Sequence, residues 1–544
     1  MTKKIIALSV AASFATASYA NEDVMLQLEL LKNQMKKLEA KIQENESAVK
    51  KVNKTIKRNK KNISKVKILA NNDNIKWDID FRTALDSIDY KHASGAKSKN
   101  SGLLTNRLWL GMGYAPDSNN LFKGKLSYNK VFGDTANHGQ SNSALGVGYA
   151  NFDWVTNENA VDNTVKVKEA YWLYMNDTFM GTEVPWTISV GRRPSTDGLG
   201  INMREGMKDN SPLSHTVNVE FDGLSSKFNL DKVTGVEGMW WKLCTGRGLT
   251  NALPRFNMTT PGADYAKDES QSNNIDMYGF IFVPWDNGQY SVHTNWARAD
   301  NLIGFTSQSM MSWQYASMGY DPTTATADLN GDGIPDPTAQ LDGTAANLAL
   351  TSQSSALIPS ASMAYAPQFQ DFGGMDLMTV MFKAEGIGEG INDFLDDTRV
   401  FASWAQTKTD PARGMAMLGS TSSQKGHSEW VGVNMPCLIT DDGRIGLEWN
   451  QGSKYWRSMT YGEDTMAGSK IAARGEAWEI YYTKPLTKAL TLSARYTMID
   501  YDYTGSNSFF GEDGTPMTMN QALAAGQDPV KEARDFRFAI SYRY

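Results

Sequence analysis

One run of side chains in this sequence has the spacing of a metal site. Asp328, Asn330, Asp332 and Asp336 put oxygen donors at positions 1, 3, 5 and 9 of a short loop, with the Ile334 carbonyl at position 7 and Gly333 at position 6 for the sharp turn. Hard oxygen ligands in that order suit Ca2+ held weakly, at extracellular calcium levels. Position 12 is Ala339, where a helix-flanked calcium loop carries a bidentate Glu, and Asp342 replaces it only after local rearrangement. A metal-free Asp/Gly turn is the alternative.

The second chemically informative set is charged. Arg82, Arg107, Lys123, Lys125, Arg193, Arg495 and Arg537 form a basic group, and Glu169, Glu220, Glu237 and Asp276 an acidic one. If the basic residues line one wall of a lumen and the acids the opposite wall, a transverse field acts on any ion passing between them. Asp78 and Asp80 interrupt that division, and a lumen of mixed charges without selective purpose is the alternative.

Such a lumen needs strands, and the sequence is rich in them. From Ile75 onward apolar residues recur every second position: Ile75, Trp77, Ile79 and Phe81 share one face, Asp78, Asp80 and Arg82 the other. Near the end, Phe536, Phe538, Ile540, Tyr542 and Tyr544 alternate with Arg537, Ala539, Ser541 and Arg543, as in a strand with lipid on one side and water on the other. Sixteen such segments are predicted, beginning near residues 74, 103, 121, 164, 184, 214, 235, 273, 289, 374, 397, 427, 442, 474, 489 and 534; eighteen is the other count. Tight connections such as Asp286-Asn287-Gly288 alternate with long polar ones, the longest from 300 to 373. The expectation is an all-β antiparallel transmembrane barrel over 74–544, with outer-membrane lipid as its surround.

Within that barrel, parity is ambiguous between Lys166 and Met175, and the reading that keeps Glu169 out of lipid is taken. Trp77, Trp109, Trp186, Tyr290, Trp296, Trp449, Trp478, Tyr482, Tyr542 and Tyr544 suit interfacial girdles. Cys244 and Cys437 map to opposite rims, which argues against a disulfide.

The amino-terminal part is different. Lys3 and Lys4, an apolar run from Ile5 to Ala17 and the small residues Ser18 and Ala20 read as a signal peptide over 1–20. Over 22–68, Leu28, Met35, Ile42, Val49, Ile56 and Ile63 take heptad position a, and Leu31, Leu38, Asn45, Val52, Asn59 and Val66 position d. Six heptads make a coiled-coil rod of about 60 Å, with polar core layers at Asn45 and Asn59 that favour a homotrimer over a dimer. Residues 1–67 carry 15 Lys and Arg against 6 Asp and Glu, a balance of +9, so the remainder carries −15 of the total −6. A basic periplasmic rod can lie against peptidoglycan or the inner-membrane surface, or be simply solvated.

Asn106-Arg107-Leu108-Trp109-Leu110, Glu169-Ala170-Tyr171-Trp172, Ser189-Val190-Gly191-Arg192-Arg193-Pro194-Ser195 and Phe221-Asp222-Gly223 resemble an uncharacterised family of ε-proteobacterial outer-membrane proteins, and also the Glu-Ala-Tyr and Gly-Arg strand motifs of general porins. The resemblance is loose over 75–544 and specific mainly between 106 and 223. It implies a porin-like barrel in the outer membrane, without an assigned solute. Nothing points to an enzyme or to nucleic acid: the five histidines, His92, His138, His215, His293 and His427, fall singly, outside any nucleophile or metal-protease motif. Two functions remain open, a trimeric diffusion channel and a tether or adhesin with a plugged barrel.

Overall fold

A computed structural model describes residues 32–37, 41, 75–133, 160, 164–208, 212–252, 262–268, 272–317, 320–329, 335–339, 368–388, 390–461 and 465–544. It divides into two units, 1–73 and 74–544. In the first, residues 32–37 and 41 are helical. The rest of the expected rod, with Asn45 and Asn59, lies outside the described residues, as does the expected signal segment.

The second unit is a closed antiparallel barrel of sixteen strands. In chain order they are β1 (Lys76–His92), β2 (Lys97–Tyr114), β3 (Asn120–Val131), β4 (Val165–Asn176), β5 (Trp186–Arg192), β6 (Asp222–Asn229), β7 (Trp240–Leu249) and β8 (Ile275–Asp286). They continue as β9 (Tyr290–Asp300), β10 (Gly373–Glu385), β11 (Arg399–Pro411), β12 (Lys425–Pro436), β13 (Arg444–Gly452), β14 (Gly475–Pro485), β15 (Leu490–Tyr501) and β16 (Val530–Arg543). Each pairs with its sequence neighbour, and β16 returns to β1 with Asp86 opposite Arg537 and Asp80 opposite Arg543. No edge is left unpaired, the condition for a sheet to sit in hydrocarbon.

The alternation in the sequence becomes two surfaces. Phe81, Leu85, Phe536, Phe538, Ile540 and Tyr542 point outward and are exposed, while Arg82, Ala84, Asp86, Arg537, Ala539 and Ser541 point inward and are buried. Trp77, Trp478, Tyr542 and Tyr544 also stand on the outer surface, as girdle residues should. Trp109 does not. It faces inward and is 4% exposed, because its indole lies against the guanidinium of Arg107, 3.7 Å from the ring centroid.

The ambiguous parity of β4 has a cause. Lys125 pairs with Glu169 but Leu126 pairs with Val167, so Lys168 is the extra residue of a β-bulge. Lys168 and Glu169 therefore both turn inward, while Val167 and Trp172 face outward. A bulge one residue long converts an apparent conflict of period into two adjacent lumenal charges.

Three predicted strand starts shift, the second strand beginning at Lys97 rather than near 103. The sixth strand begins at Asp222 rather than near 214, and the seventh at Trp240 rather than near 235. The residues ahead of β6 are not wall at all; they run inside the barrel. The Gly191-Arg192-Arg193-Pro194 motif marks the departure. Gly191 has φ +122 and a Cβ there would lie 2.3 Å from the Ala170 carbonyl oxygen, so only glycine lets β5 end against β4. Arg192 then turns outward to Asp222, at 2.8 Å, Arg193 turns inward over Tyr171, and Pro194 stops the ladder. Both cysteines are free thiols.

The seam between β16 and β1 rests on a buried ion pair, Arg537 Nε to Asp86 Oδ1 at 2.6 Å. Arg537→Met leaves a buried carboxylate short of its partner and is expected to cost about 3–5 kcal/mol, whereas the Asp86→Leu/Arg537→Met double variant regains most of it. Urea midpoints for unfolding from lipid vesicles check both.

Candidate functional site

The long connections gather at one end of the barrel, the loop end; the tight turns, Ile75 and Tyr544 mark the other, the turn end. Two of the long connections fold into the lumen. The first, residues 193–221, enters at the loop end and reaches almost to the turn end, where its short helix Ile201–Glu205 meets β14 to β16. Arg204 lies 3.3 Å from Glu479 on β14, Glu205 lies 3.6 Å from Arg495 on β15, and Arg543 on β16 donates to the Glu205 carbonyl at 2.6 Å. Gly200, with φ +100, permits this path, since a Cβ would fall 2.2 Å from the Trp430 ring.

The return limb crosses to the opposite wall. His215 is fully buried with its ring nitrogens 2.8 Å from Ser403 Oγ on β11 and 3.0 Å from Ser428 Oγ on β12. Trp430 and Trp456 close over it edge-on at 5.6 and 5.5 Å. Thr216 bonds Thr379 on β10 at 2.7 Å. At the β4 side the bulge residue Lys168 sits 3.3 Å from both Asp197 and Glu220 and donates to Thr196 at 2.8 Å. One lysine thus anchors both limbs.

The second inward connection, residues 453–474, is joined to the first by a parallel pairing of Met459–Thr460 with Val217–Asn218. Its Lys470 is buried between Glu448 on β13, at 2.7 Å, and Glu479. Glu479, 0% exposed, also accepts from Thr497 at 2.7 Å and faces Arg495 at 3.7 Å, so it is a hub where wall and both inward segments meet. Arg474 is held by carbonyls, donating to Trp456 at 2.8 Å, Thr504 at 2.8 Å and Gly514 at 2.7 Å. Burial pushes its pKa down to about 9.

Toward the loop end the lumen is apolar. Leu302, Ile303, Phe305, Phe372, Met417 and Phe510 form a cluster with Val217 and Met459 of the inward segments. The residues that root the long 300–373 connection belong to this cluster, and 303–304 pair with 370–371. Of the expected metal ligands, Asn330, Asp332 and Ile334 lie outside the described residues. Asp328 and Asp336 are described, and Asp336 Oδ2 accepts from the Leu329 amide at 2.9 Å.

The basic residues read from strand parity take these places: Arg82, Arg107, Arg495 and Arg537 are buried on the inward face, Lys125 is half-exposed there beside Glu169 at 2.7 Å, and Lys123 is exposed near the turn end. Three acids are placed differently from expectation. Glu220 is lumenal but belongs to the inward segment, because β6 starts two residues later. Glu237 is exposed in the tight turn before β7. Asp276 faces outward at the loop-end rim, where Arg247 on β7 holds it at 2.6 Å above the apolar band. Three lumenal acids were not singled out in the sequence: Glu205 and Glu479, which face arginines, and Glu448, which faces Lys470. Parity alone could have found Glu448 and Glu479; nothing local marks Glu205, whose position depends on the whole course of the inward segment.

A cavity of about 100 Å³ remains between the first inward segment and the wall, bordered by Arg193, Ser195, Ser225, Lys242, Cys244 and Asn295. Residues 97–544 match the protein family described as "Protein of unknown function (DUF3373)". The chain belongs to that family. No curated protein matches this DUF3373 chain. Among solved structures it is similar to Pseudomonas putida OprB at high pH, with 11% identity, 88% of this chain and 96% of that chain covered and a TM-score of 0.43. It is similar also to Salmonella typhi OmpF in complex with daunomycin (10%, 87% and 99%, 0.40) and to an anion-selective porin from Comamonas acidovorans (10%, 87% and 100%, 0.39).

Burial pushes the His215 pKa down to about 3, so the seated ring stays neutral where a free imidazole, near pH 6.5, gains a proton. Release of the segment therefore becomes easier as pH falls below about 6.5, by up to about 1.4 kcal/mol per pH unit. Limited proteolysis of residues 193–221 is expected to quicken between pH about 6.5 and 5, and a His215→Gln variant is expected to lose that dependence.

Proposed function

We propose that the chain is an outer-membrane channel for small hydrophilic solutes or ions, narrowed by its own inward segments. The observation that carries this reading is the combination of an apolar outer surface with a charged and hydroxylated interior in one closed sixteen-strand barrel. A barrel that only anchored a tether would have no need of arginines on the inner faces of β1, β2, β15 and β16. The route runs beside the first inward segment, past Lys125, Glu169, Tyr171 and Arg193, where opposite charges stand close together. Residues 193–221 narrow it on this side.

Three finer features belong to the same proposal. The rod of residues 22–68 holds three copies together through Asn45 and Asn59 in the periplasm, and its basic surface rests on peptidoglycan. Calcium bound by Asp328, Asn330, Asp332, Asp336 and the Ile334 carbonyl stiffens the long external loop. A second reading, a tether or adhesin with a closed barrel, is favoured by one observation: Phe305, Phe372 and Phe510 are almost wholly buried near the loop end, which leaves little open section there.

Planar-bilayer conductance of the purified oligomer separates the two. Steps in threes with an ion-selective reversal potential are the expected result, and a Gly200→Trp variant, which unseats the inward segment from Trp430, is expected to raise the conductance severalfold. A silent bilayer for both proteins sinks the channel reading. Deleting residues 22–68 is expected to turn triple steps into single ones at unchanged unit conductance.

A further inference from the structure

The cavity between the first inward segment and the wall is charged in one sense only. Arg193 and Lys242 border it, and among the described residues no acidic side chain does. Most of the remaining lining is apolar, with Val217 and Phe221 from the inward segment and Met277 and Ile281 from β8. Space exists because the wall is bare there: Gly223 on β6 stands opposite Gly246 on β7, and Gly279 on β8 opposite Cys244.

Elsewhere in the lumen buried cations are answered by carboxylates or by backbone carbonyls, as Lys168, Lys470 and Arg474 are. Arg193 is not. Among the described residues it makes no hydrogen bond and no ion pair, and its guanidinium lies 4.7 Å from the centroid of the Tyr171 ring. Glu169, whose charge reaches Arg193, is itself bonded to Lys125 at 2.7 Å. A ring against the face of a guanidinium holds its plane and leaves the N–H edge available. Arg193 therefore offers a fixed fork of donors at the border of an apolar cavity.

We infer that this cavity is a binding site for a short-chain monocarboxylate, with its two oxygens on the Arg193 fork and its alkyl body against Val217, Phe221, Met277 and Ile281. Two parallel N–H donors match a carboxylate edge, and the apolar side chains cover the carbons behind it. A volume of about 100 Å³ keeps that body to a few carbons, since it equals the share of roughly three waters in the liquid. An inorganic oxyanion loses its hydration to a largely apolar surround and gains one fork in return. An uncharged solute of the same shape forgoes the charge-assisted pairing. The inference deepens the channel reading by naming a class of solute, and it rests on that reading for its role in passage, whereas binding itself is measured without a bilayer.

The test is a ligand-observed NMR titration of butyrate against the full-length protein in lipid nanodiscs, at fixed ionic strength in chloride, with protein-free nanodiscs as the blank. Butyramide, which keeps the shape and lacks the charge, and inorganic phosphate are titrated in parallel. The wild type, Arg193→Met and Ala297→Leu are compared, with heat-modifiable gel mobility confirming that each barrel is folded. Ala297 borders the cavity from β9, and a leucine there fills it. Saturable butyrate binding is expected in the wild type, about tenfold tighter than butyramide or phosphate, weakened about tenfold by Arg193→Met and abolished by Ala297→Leu. Absence of saturable butyrate binding overturns the site, as does binding that Arg193→Met leaves unchanged; equal or tighter binding of butyramide or phosphate overturns the class. A silent bilayer beside saturable butyrate binding removes the channel and keeps the site, and the opposite pair of results removes the site alone.

Discussion

Backbone amides in hydrocarbon have no water to turn to, so the sheet must close, and the closure of β16 on β1 governs the remaining design. Closing it fixes the register of every strand, and register fixes which side chains face lipid. The same pairing brings Arg537 onto Asp86 and Arg543 onto Asp80, two chemically matched contacts between the far ends of the sequence. The apolar stripe on Phe536, Phe538 and Ile540 and the ion pairs behind it are thus two faces of one constraint.

A barrel of sixteen strands encloses more space than its own inward side chains can fill. The protein fills much of it with chain. Residues 193–221 and 453–474 bring polar backbone and charged side chains into the lumen, and each buried charge arrives beside an opposite one or a ring of carbonyls. Lys168 meets Asp197 and Glu220, Lys470 meets Glu448 and Glu479, and Arg474 meets only carbonyl oxygens. Burial of charge on this scale costs more than it returns unless every partner is in place, which makes the lumenal geometry specific. That specificity is what a selective passage requires.

Much of the wall was legible because period two is a strong signal when one side faces lipid. Thirteen of the sixteen strand starts fall within a few residues of those read from alternation. The readings that moved have physical causes. Val217 to Phe221 resembles a strand because it is apolar and extended, yet its partner is another inward segment and not the wall. Asp276 has an outward partner in Arg247, and a rim position above the apolar band tolerates what mid-membrane would reject. Trp109 turned inward because aromatic rings serve cations as readily as they serve an interface. The lumenal charge cluster was half legible: its wall arginines follow from parity, but Arg204 and Glu205 reach it only through the tertiary path of their segment.

The first inward segment touches β4 through Lys168 and, across the lumen, β11 and β12 through His215. In mechanical terms it is a tie across the diameter of a tube. A hollow cylinder yields to lateral pressure by flattening into an ellipse, but one tied wall to wall, with its tie spliced to a second segment, keeps its cross-section under load. Changes in the thickness or tension of the surrounding bilayer should therefore tilt this barrel as a rigid body and leave its passage unaltered.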